Sequence, residues 1–313
     1  MSPARRARAV REQREGRGLE VMAKTIGERI VEAMPYLDEV SEAVQPRVRE
    51  AVEAGGTAVR NLLDGTWMEV PLHPVLTDVP VGSWTSALVF DGLDALSGSR
   101  AARNAADASL AFGVLGGLAA AAAGLSDWRY LTGDSRRMGA AHGLFNAAGL
   151  ALAAASLGLR AAGRRNAGRA VFLAGYALAG VGAHLGGELS YGHGLRVNRN
   201  ALRGQEGPRE FVPVLRESEL PAGGMRRVSA DGAEVLLARS SGGEICAISA
   251  VCGHLGGALE EGRREGDTVV CPLHGSRFEL CGGKVLDGPA VFPQPRYEVR
   301  VREGSIEVRS AGI

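Results

Sequence analysis

Along the chain, apolar and polar positions fall into three regimes. Over the first 70 residues charged side chains dominate, and Leu37, Val40, Val44, Val48 and Val52 recur at steps of three and four. That is the period of a helix with one narrow apolar stripe. Pro35 and Pro46 interrupt the stripe and Gly55-Gly56 ends it. Four long apolar runs follow, over 79–96, 108–126, 138–159 and 170–187, each close to the roughly 20 residues that carry a helix across the hydrocarbon core. Beyond about residue 211 the period changes. Short alternating runs over 233–238, 244–249, 297–301 and 305–309 are separated by Asp231-Gly232, Gly242-Gly243 and Glu303-Gly304, the pattern of short strands and turns. The expected organisation is a charged helical region (1–70), a four-helix transmembrane domain (71–195), a polar linker (196–210) and an all-β domain (211–313).

Composition sharpens this picture in three ways. A mean hydropathy near zero averages an Ala/Gly/Leu-rich middle with charged flanks, so it conceals a membrane protein. The balance of 36 Lys+Arg against 35 Asp+Glu argues against a nucleic-acid binder with a broad basic face, and four cysteines exclude a disulfide-built scaffold. The second and third apolar runs contain no charged residue, whereas the first carries Asp91 and Asp94 and the fourth carries His184. Small residues such as Gly113, Gly116 and Gly117 let helices approach closely in lipid. Ten arginines in the first 70 residues would have to cross the bilayer if the amino terminus lay outside. The expected placement is a multi-pass protein of the cell membrane with both ends, and therefore the β domain, in the cytoplasm.

The chemistry concentrates in the β domain. Cys252-Gly253-His254 is followed, after sixteen intervening residues, by Cys271-Pro272-Leu273-His274. Two thiolates and two imidazoles could hold a tetrahedral zinc ion. The surrounding runs, Cys252-Gly253-His254-Leu255-Gly256-Gly257, Cys271-Pro272-Leu273-His274-Gly275-Ser276-Arg277-Phe278 and the later Gly288-Pro289-Ala290, instead resemble the Rieske iron-sulfur family. The resemblance implies a [2Fe-2S] cluster, with Cys252 and Cys271 on one iron, His254 and His274 on the other, and the histidine-bound iron facing solvent. Two neutral ligands raise the potential relative to all-cysteine clusters.

The high-potential respiratory form carries an extra cysteine in each loop, where this chain has Gly257 and Leu273, and a tyrosine where it has Phe278. The chain therefore resembles the ferredoxin-type branch, in which fewer donors reach the cluster sulfurs. Ser276 matches a residue able to bond a bridging sulfide. Cys246 and Cys281 lie in apolar strand contexts and are expected to be buried free thiols, a disulfide or redox-active pair being the alternative.

Pro71-Leu72-His73-Pro74, Asp78-Val79-Pro80 and Ala183-His184-Leu185-Gly186-Gly187-Glu188 resemble an uncharacterised four-helix membrane family that sometimes carries a Rieske domain, and this resemblance implies no settled activity. In an up-down bundle His73, His142, His184 and His193 collect at the face from which the linker leaves. Ionisable groups in a membrane are costly and so are candidates for function, although histidines at helix ends also serve as headgroup contacts or caps. His142 and His184 are the expected pair for a haem b, with a quinone pocket or a non-haem metal as alternatives; a covalent haem is excluded because no Cys-x-x-Cys-His run exists. The function expected is single-electron transfer between a soluble redox partner and a membrane cofactor or quinone. Its rival is a redox sensor or structural module without steady flux.

Overall fold

The computed structural model describes residues 24–201 and 207–311. The arginines before residue 24 and the centre of the linker, including Gly204 and Gln205, lie outside the described residues. Three short helices come first: α1 (Ile26–Glu32), α2 (Leu37–Ala54) and α3 (Gly56–Asp64). Thr25 and Glu28 form a capping box on α1, and Glu188 adds an acceptor there, taking the Gly27 N–H at 3.1 Å. Helix α2 runs through Pro46.

The buried face of α2 is Leu37, Ser41, Gln45 and Val52, while Val40 and Val44 are exposed. The stripe expected from the valines is therefore out of phase in the middle of the helix. The reason is polar: Gln45 Nε2 donates to the carbonyls of Trp128 and Leu131, each at 2.9 Å. It thereby gives a donor to carbonyls at and just beyond the end of the long helix that closes at Trp128. Gly65 ends α3 in the left-handed region (φ 81°), with the Val70 carbonyl so close that a Cβ would lie 2.1 Å from it.

Four long helices follow: α4 (Leu72–Ser97), α5 (Arg100–Trp128), α6 (Gly133–Ala161) and α7 (Arg165–Gly187), the last continued by a π-helical turn, Glu188–Gly192. They pair as two hairpins, α4 with α5 and α6 with α7, joined along α5 and α6. Glycines permit the close approach: a Cβ on Gly113 would sit 2.3 Å from Trp84, and one on Gly149 2.8 Å from the Gly175 carbonyl. Trp84, Leu110, Ala153 and Phe172 fill the space between the hairpins, whereas Val89, Phe112, Leu115, Leu118 and Leu173 point outward, as lipid-facing residues do.

Arg100–Trp128, Gly133–Ala161 and Arg165–Gly192 are long and apolar enough to cross a bilayer. The expected first span, within α4, is long enough but carries Asp91 and Asp94, both buried. Arg160 donates to Asp91 and to Asp107 (2.9 Å each), and Arg165 to Asp94 (2.7 Å) and Asp107 (2.9 Å). Arg169 and Arg103 complete a charge clamp across all four helices. Burying these carboxylates without partners would be prohibitive, and pairing makes it tolerable.

The carboxyl-terminal domain comprises strands β1 (Val212–Arg216), β2 (Met225–Ala230), β3 (Ala233–Arg239), β4 (Ile245–Ser249), β5 (Arg263–Glu265), β6 (Thr268–Val270), β7 (Arg277–Glu279), β8 (Val285–Asp287), β9 (Arg296–Arg302) and β10 (Ser305–Ser310). One antiparallel sheet has the order β1-β10-β9-β4-β3-β2 and the other β5-β6-β7-β8. Leu236, Ile248, Leu259, Phe278 and Leu280 pack in one core with Cys252 and Cys271. Cys246 and Cys281 are joined by a disulfide, which corrects the expectation of free thiols. Their apolar contexts bring β4 and the end of the β7 hairpin together, with Cα atoms 4.7 Å apart, within reach of a bridge.

Candidate functional site: the cysteine-histidine loops and the bundle that covers them

The two Cys/His loops close in the same way. Cys252 N donates to the Gly257 carbonyl (2.8 Å) and Gly256 N donates to the Cys252 carbonyl (2.9 Å); Cys271 N donates to the Ser276 carbonyl (2.8 Å) and Gly275 N to the Cys271 carbonyl (3.1 Å). Gly256 and Gly275 take positive φ, 80° and 76°, which a residue with a side chain rarely adopts. Each loop thus offers one cysteine and one histidine from a turned backbone, and the structure brings all four together. Both sulfurs are buried, the imidazole centroids are 5.1 Å apart, and His254 is 6% exposed.

The donor set fits a [2Fe-2S] cluster on three observations. The buried Nδ1 of His254 has no hydrogen-bond partner, a nitrogen left for a ligand. A Cβ on Gly257 would lie 2.8 Å from Cys271 Sγ, so the glycine clears the space beside the sulfur. The Cys252 and Cys271 thiols lie within hydrogen-bond reach of each other, so both sulfurs turn to one place. The electrostatics agree. A thiol hydrogen bond from Cys252 brings Cys271 down to about 6, and burial, reinforced by the Arg196 charge, holds His254 well below the usual histidine range. A thiolate and a neutral imidazole are the forms that ligate. Ser276 Oγ accepts from Ala290 N at 2.9 Å, tying the second loop to the segment that covers it.

The histidine edge does not face solvent, contrary to what the family resemblance implies. Tyr130, in the connection between α5 and α6, lies with its ring centre 4.7 Å from that of His274 and 5.7 Å from that of His254. Arg129 stacks on Tyr130 at 4.3 Å. Asp64, wholly buried at the end of α3, accepts from Arg129 Nη2 at 2.8 Å and Arg196 Nη2 at 3.1 Å. Arg196 also pairs with Asp127 and donates to the Pro289 carbonyl at 2.7 Å. Asn61 donates to Asp287 (2.9 Å) and accepts from Gly288 N (3.0 Å). Helix α3, the bundle edge and the start of the linker therefore grip the covering segment 287–290. The sequence offered only a weak signal for this: an arginine and a tyrosine in a short helix connection on the face from which the linker leaves.

The other expected pair is not brought together. His142 Nδ1 donates to the Gly182 carbonyl at 2.8 Å, and its ring lies against Gly186. His184, two residues from each, points off the opposite side of α7 at about 100° per residue; it is 50% exposed and leans toward Glu188 at 3.9 Å. A haem cannot be held between His142 and His184. Helix order predicts their common depth correctly but leaves the rotation of α7 unspecified. The ring that His142 meets is that of His73.

Two family models match the chain: the Rieske [2Fe-2S] domain over residues 210–298 and a predicted membrane protein (DUF2231) over residues 69–199. Among curated relatives, the ferredoxin CarAc of Metapseudomonas resinovorans is 34% identical over 98 residues, which are 31% of this chain and 92% of the relative. The cytochrome b6-f complex iron-sulfur subunit of Chlorobaculum tepidum is 37% identical over 70 residues, 22% of this chain and 38% of that subunit. Among solved structures, the ferredoxin of carbazole 1,9a-dioxygenase from Nocardioides aromaticivorans IC177 is 31% identical, covers 32% of this chain and 97% of its own, and superposes with a TM-score of 0.31. With two glycine-turned Cys/His loops on a β scaffold, and a relative matched over nearly its whole length, the chain belongs to the Rieske [2Fe-2S] family, its electron-transfer domain joined to a predicted membrane domain.

Proposed function

We propose that this protein relays single electrons between a soluble redox partner and the membrane, with Cys252, His254, Cys271 and His274 holding the cluster. The observation that carries the reading is the seating of both cluster histidines under Tyr130 of the bundle. A [2Fe-2S] cluster, when bound, takes up and releases one electron at a time, at a potential raised by its two imidazole ligands. Pro272 and Leu273 remain exposed at the tip of the second loop and give a soluble partner its approach. Tyr130, Arg129 and Arg196 exclude water from the membrane-facing edge and orient it.

A cavity of about 120 Å³ lies beside that edge, lined by Tyr130, Ser135, His193, Arg199 and Leu255 among others. It is where a quinone head group would enter, His193 being oriented by Ser135 at 2.9 Å. In this reading α4 crosses the bilayer with the three more apolar helices, its carboxylates neutralised by the arginine clamp, and residues 71–195 form the membrane domain. The amino-terminal helices and the β domain share one side, which the arginine-rich start of the chain assigns to the cytoplasm.

The hydrogen bonds of Asn61 and Arg196 that hold the covering segment 287–290 favour a second reading, a redox sensor in which the cluster's state alters the bundle without flux. The test uses the full chain in liposomes, reduced by a soluble reductant and then offered a short-chain quinone. Reoxidation of the Rieske electron paramagnetic resonance signal over repeated cycles supports the relay. A signal that stays reduced, with the cluster intact, leaves the sensor.

A further inference from the structure

Two histidines that the cluster does not use are fixed in the bundle by one repeated arrangement. On α4, His73 donates its Nδ1–H to the Ala120 carbonyl of α5 at 2.8 Å, and its ring lies against Gly124, one turn further on, where a Cβ would come within 2.9 Å. On α6, His142 donates its Nδ1–H to the Gly182 carbonyl of α7 at 2.8 Å, and its ring lies against Gly186, again one turn further on, where a Cβ would come within 2.8 Å. A carbonyl can only accept, so each neutral ring carries its proton on Nδ1 and a lone pair on Nε2. His142 Nε2 has only the Asn146 amide, at 3.5 Å, and that amide also bonds the His142 carbonyl at 2.8 Å. The two rings meet each other with centroids 6.0 Å apart and planes at 85°.

We infer that His73 and His142 hold one transition-metal centre inside the bundle, each through Nε2 as a neutral imidazole, the metal being the iron of a haem or a bare copper ion. A ring nitrogen bonded to a backbone carbonyl is the usual support of a metal-ligating histidine, because it fixes the tautomer and the ring orientation. The separation selects the coordination. Metal–nitrogen bonds of about 2.0–2.1 Å, with about 1.1 Å more to each ring centre, put imidazoles on opposite sides of one metal about 6.3 Å apart, against about 5.2 Å at a tetrahedral angle. The observed 6.0 Å lies near the opposed arrangement, which suits axial ligation of haem iron or two-coordinate copper, and it is too wide for zinc. Gly124 and Gly186 make room for the rings and so belong to the site.

The test is a visible spectrum of the dithionite-reduced full-length protein, purified from membranes in mild detergent, together with its content of haem and copper. The wild type is compared with His73→Ala, His142→Ala, Gly186→Val and His184→Ala, and circular dichroism reports the helices of each. One haem per chain, or one copper, is expected in the wild type. His73→Ala, His142→Ala and Gly186→Val should each lower that content, or the affinity for added hemin or cuprous ion, by about tenfold or more, while His184→Ala should not. A haem band assigns the iron, and copper without a haem band assigns the bare ion. A helical wild type that carries neither and takes up neither overturns the inference, as does loss in His184→Ala alone. The site stands apart from the cluster: His274→Ala, which removes the Rieske signal, should leave it loaded.

Discussion

Removing the carboxylate of Asp64 should loosen the bundle edge on which the Rieske domain sits. Its Oδ1 accepts from Ser126 Oγ (3.0 Å), Arg129 Nη1 (3.0 Å) and Arg196 Nη2 (3.1 Å), and its Oδ2 from Arg129 Nη2 (2.8 Å). The side chains of Asp64 and Arg129 are both 0% exposed. In Asp64→Ala, Arg196 keeps Asp127, but Arg129 is left as a buried guanidinium with no carboxylate. Breaking such a pair from one side costs about 3–5 kcal/mol. The assay is hydrogen exchange in the full chain, read at the amides of Tyr130, Leu131, Gly288, Ala290 and Val291. At about 1.4 kcal/mol per decade, opening should become about a hundred- to a few-thousand-fold more frequent. Arg227→Ala is the control, because its partners Glu234 and Glu260 form an exposed network worth at most about 1 kcal/mol. Exchange that rises less than about tenfold in Asp64→Ala, or no more than in the control, would refute the view that this pair holds the edge on which the β domain sits.

Replacing His274 by Ala should abolish the Rieske paramagnetic signal and leave membrane insertion unchanged; a retained signal would remove His274 from the ligand set. The midpoint potential, read by redox titration, should fall in the lower half of the roughly −150 to +300 mV Rieske range. Phe278→Tyr should raise that potential, since Phe278 is fully buried in the core that holds both cysteines and a hydroxyl there would add a donor. Without its cluster the chain should lose stability below about pH 6.5. Burial holds His254 and His274 below their ordinary value, so the unfolded chain takes up protons that the folded one resists; a urea midpoint no lower at pH 5.5 than at 7.5 would contradict this. The Cys246–Cys281 disulfide closes a separation of 35 residues. Its removal by Cys246→Ala should cost about 3–4 kcal/mol on the chain-entropy account, measurable as a lowered unfolding midpoint relative to the oxidised wild type.

Much of the fold is legible because its signals are local. The uncharged runs over 108–126 and 138–159 announce α5 and α6, the alternating runs announce four strands of the six-stranded sheet and none of the smaller one, and the loops carry both their ligands and the glycines that turn them. What escaped is set by partners distant in sequence. Asp91 and Asp94 weaken the first span when read alone, yet Asp91 meets arginines from α6 and α7 and Asp94 arginines from α5 and α7. Gln45 lies on the face of α2 that the valine stripe would leave outside, because its amide reaches the carbonyl of Trp128 at the end of α5 and that of Leu131 in the connection beyond it. Cys246 and Cys281 look alike in isolation whether free or bonded, and the packing of the two sheets decides between those states.

The membrane histidines show the limit most plainly. Depth in a bilayer follows from counting residues, so sequence order places His73, His142 and His184 near one level. Contact also requires the rotation of each helix about its axis, which is set by how small residues pack. On α7 the pair Gly182 and Gly186, one turn apart, marks the face that lets α6 approach, and His184 lies nearly opposite it; on α5 the pair Ala120 and Gly124 does the same for His73. A small residue pair spaced by four is thus a phase marker, and it points from His142 to His73. The same logic reaches the cluster. Tyr130 follows directly from the end of α5, so the helix whose carbonyl orients His73 also positions the ring that covers His254 and His274. A rotation of α5 would therefore disturb both places at once, which couples the geometry of the bundle to the edge of the cluster without a moving part between them.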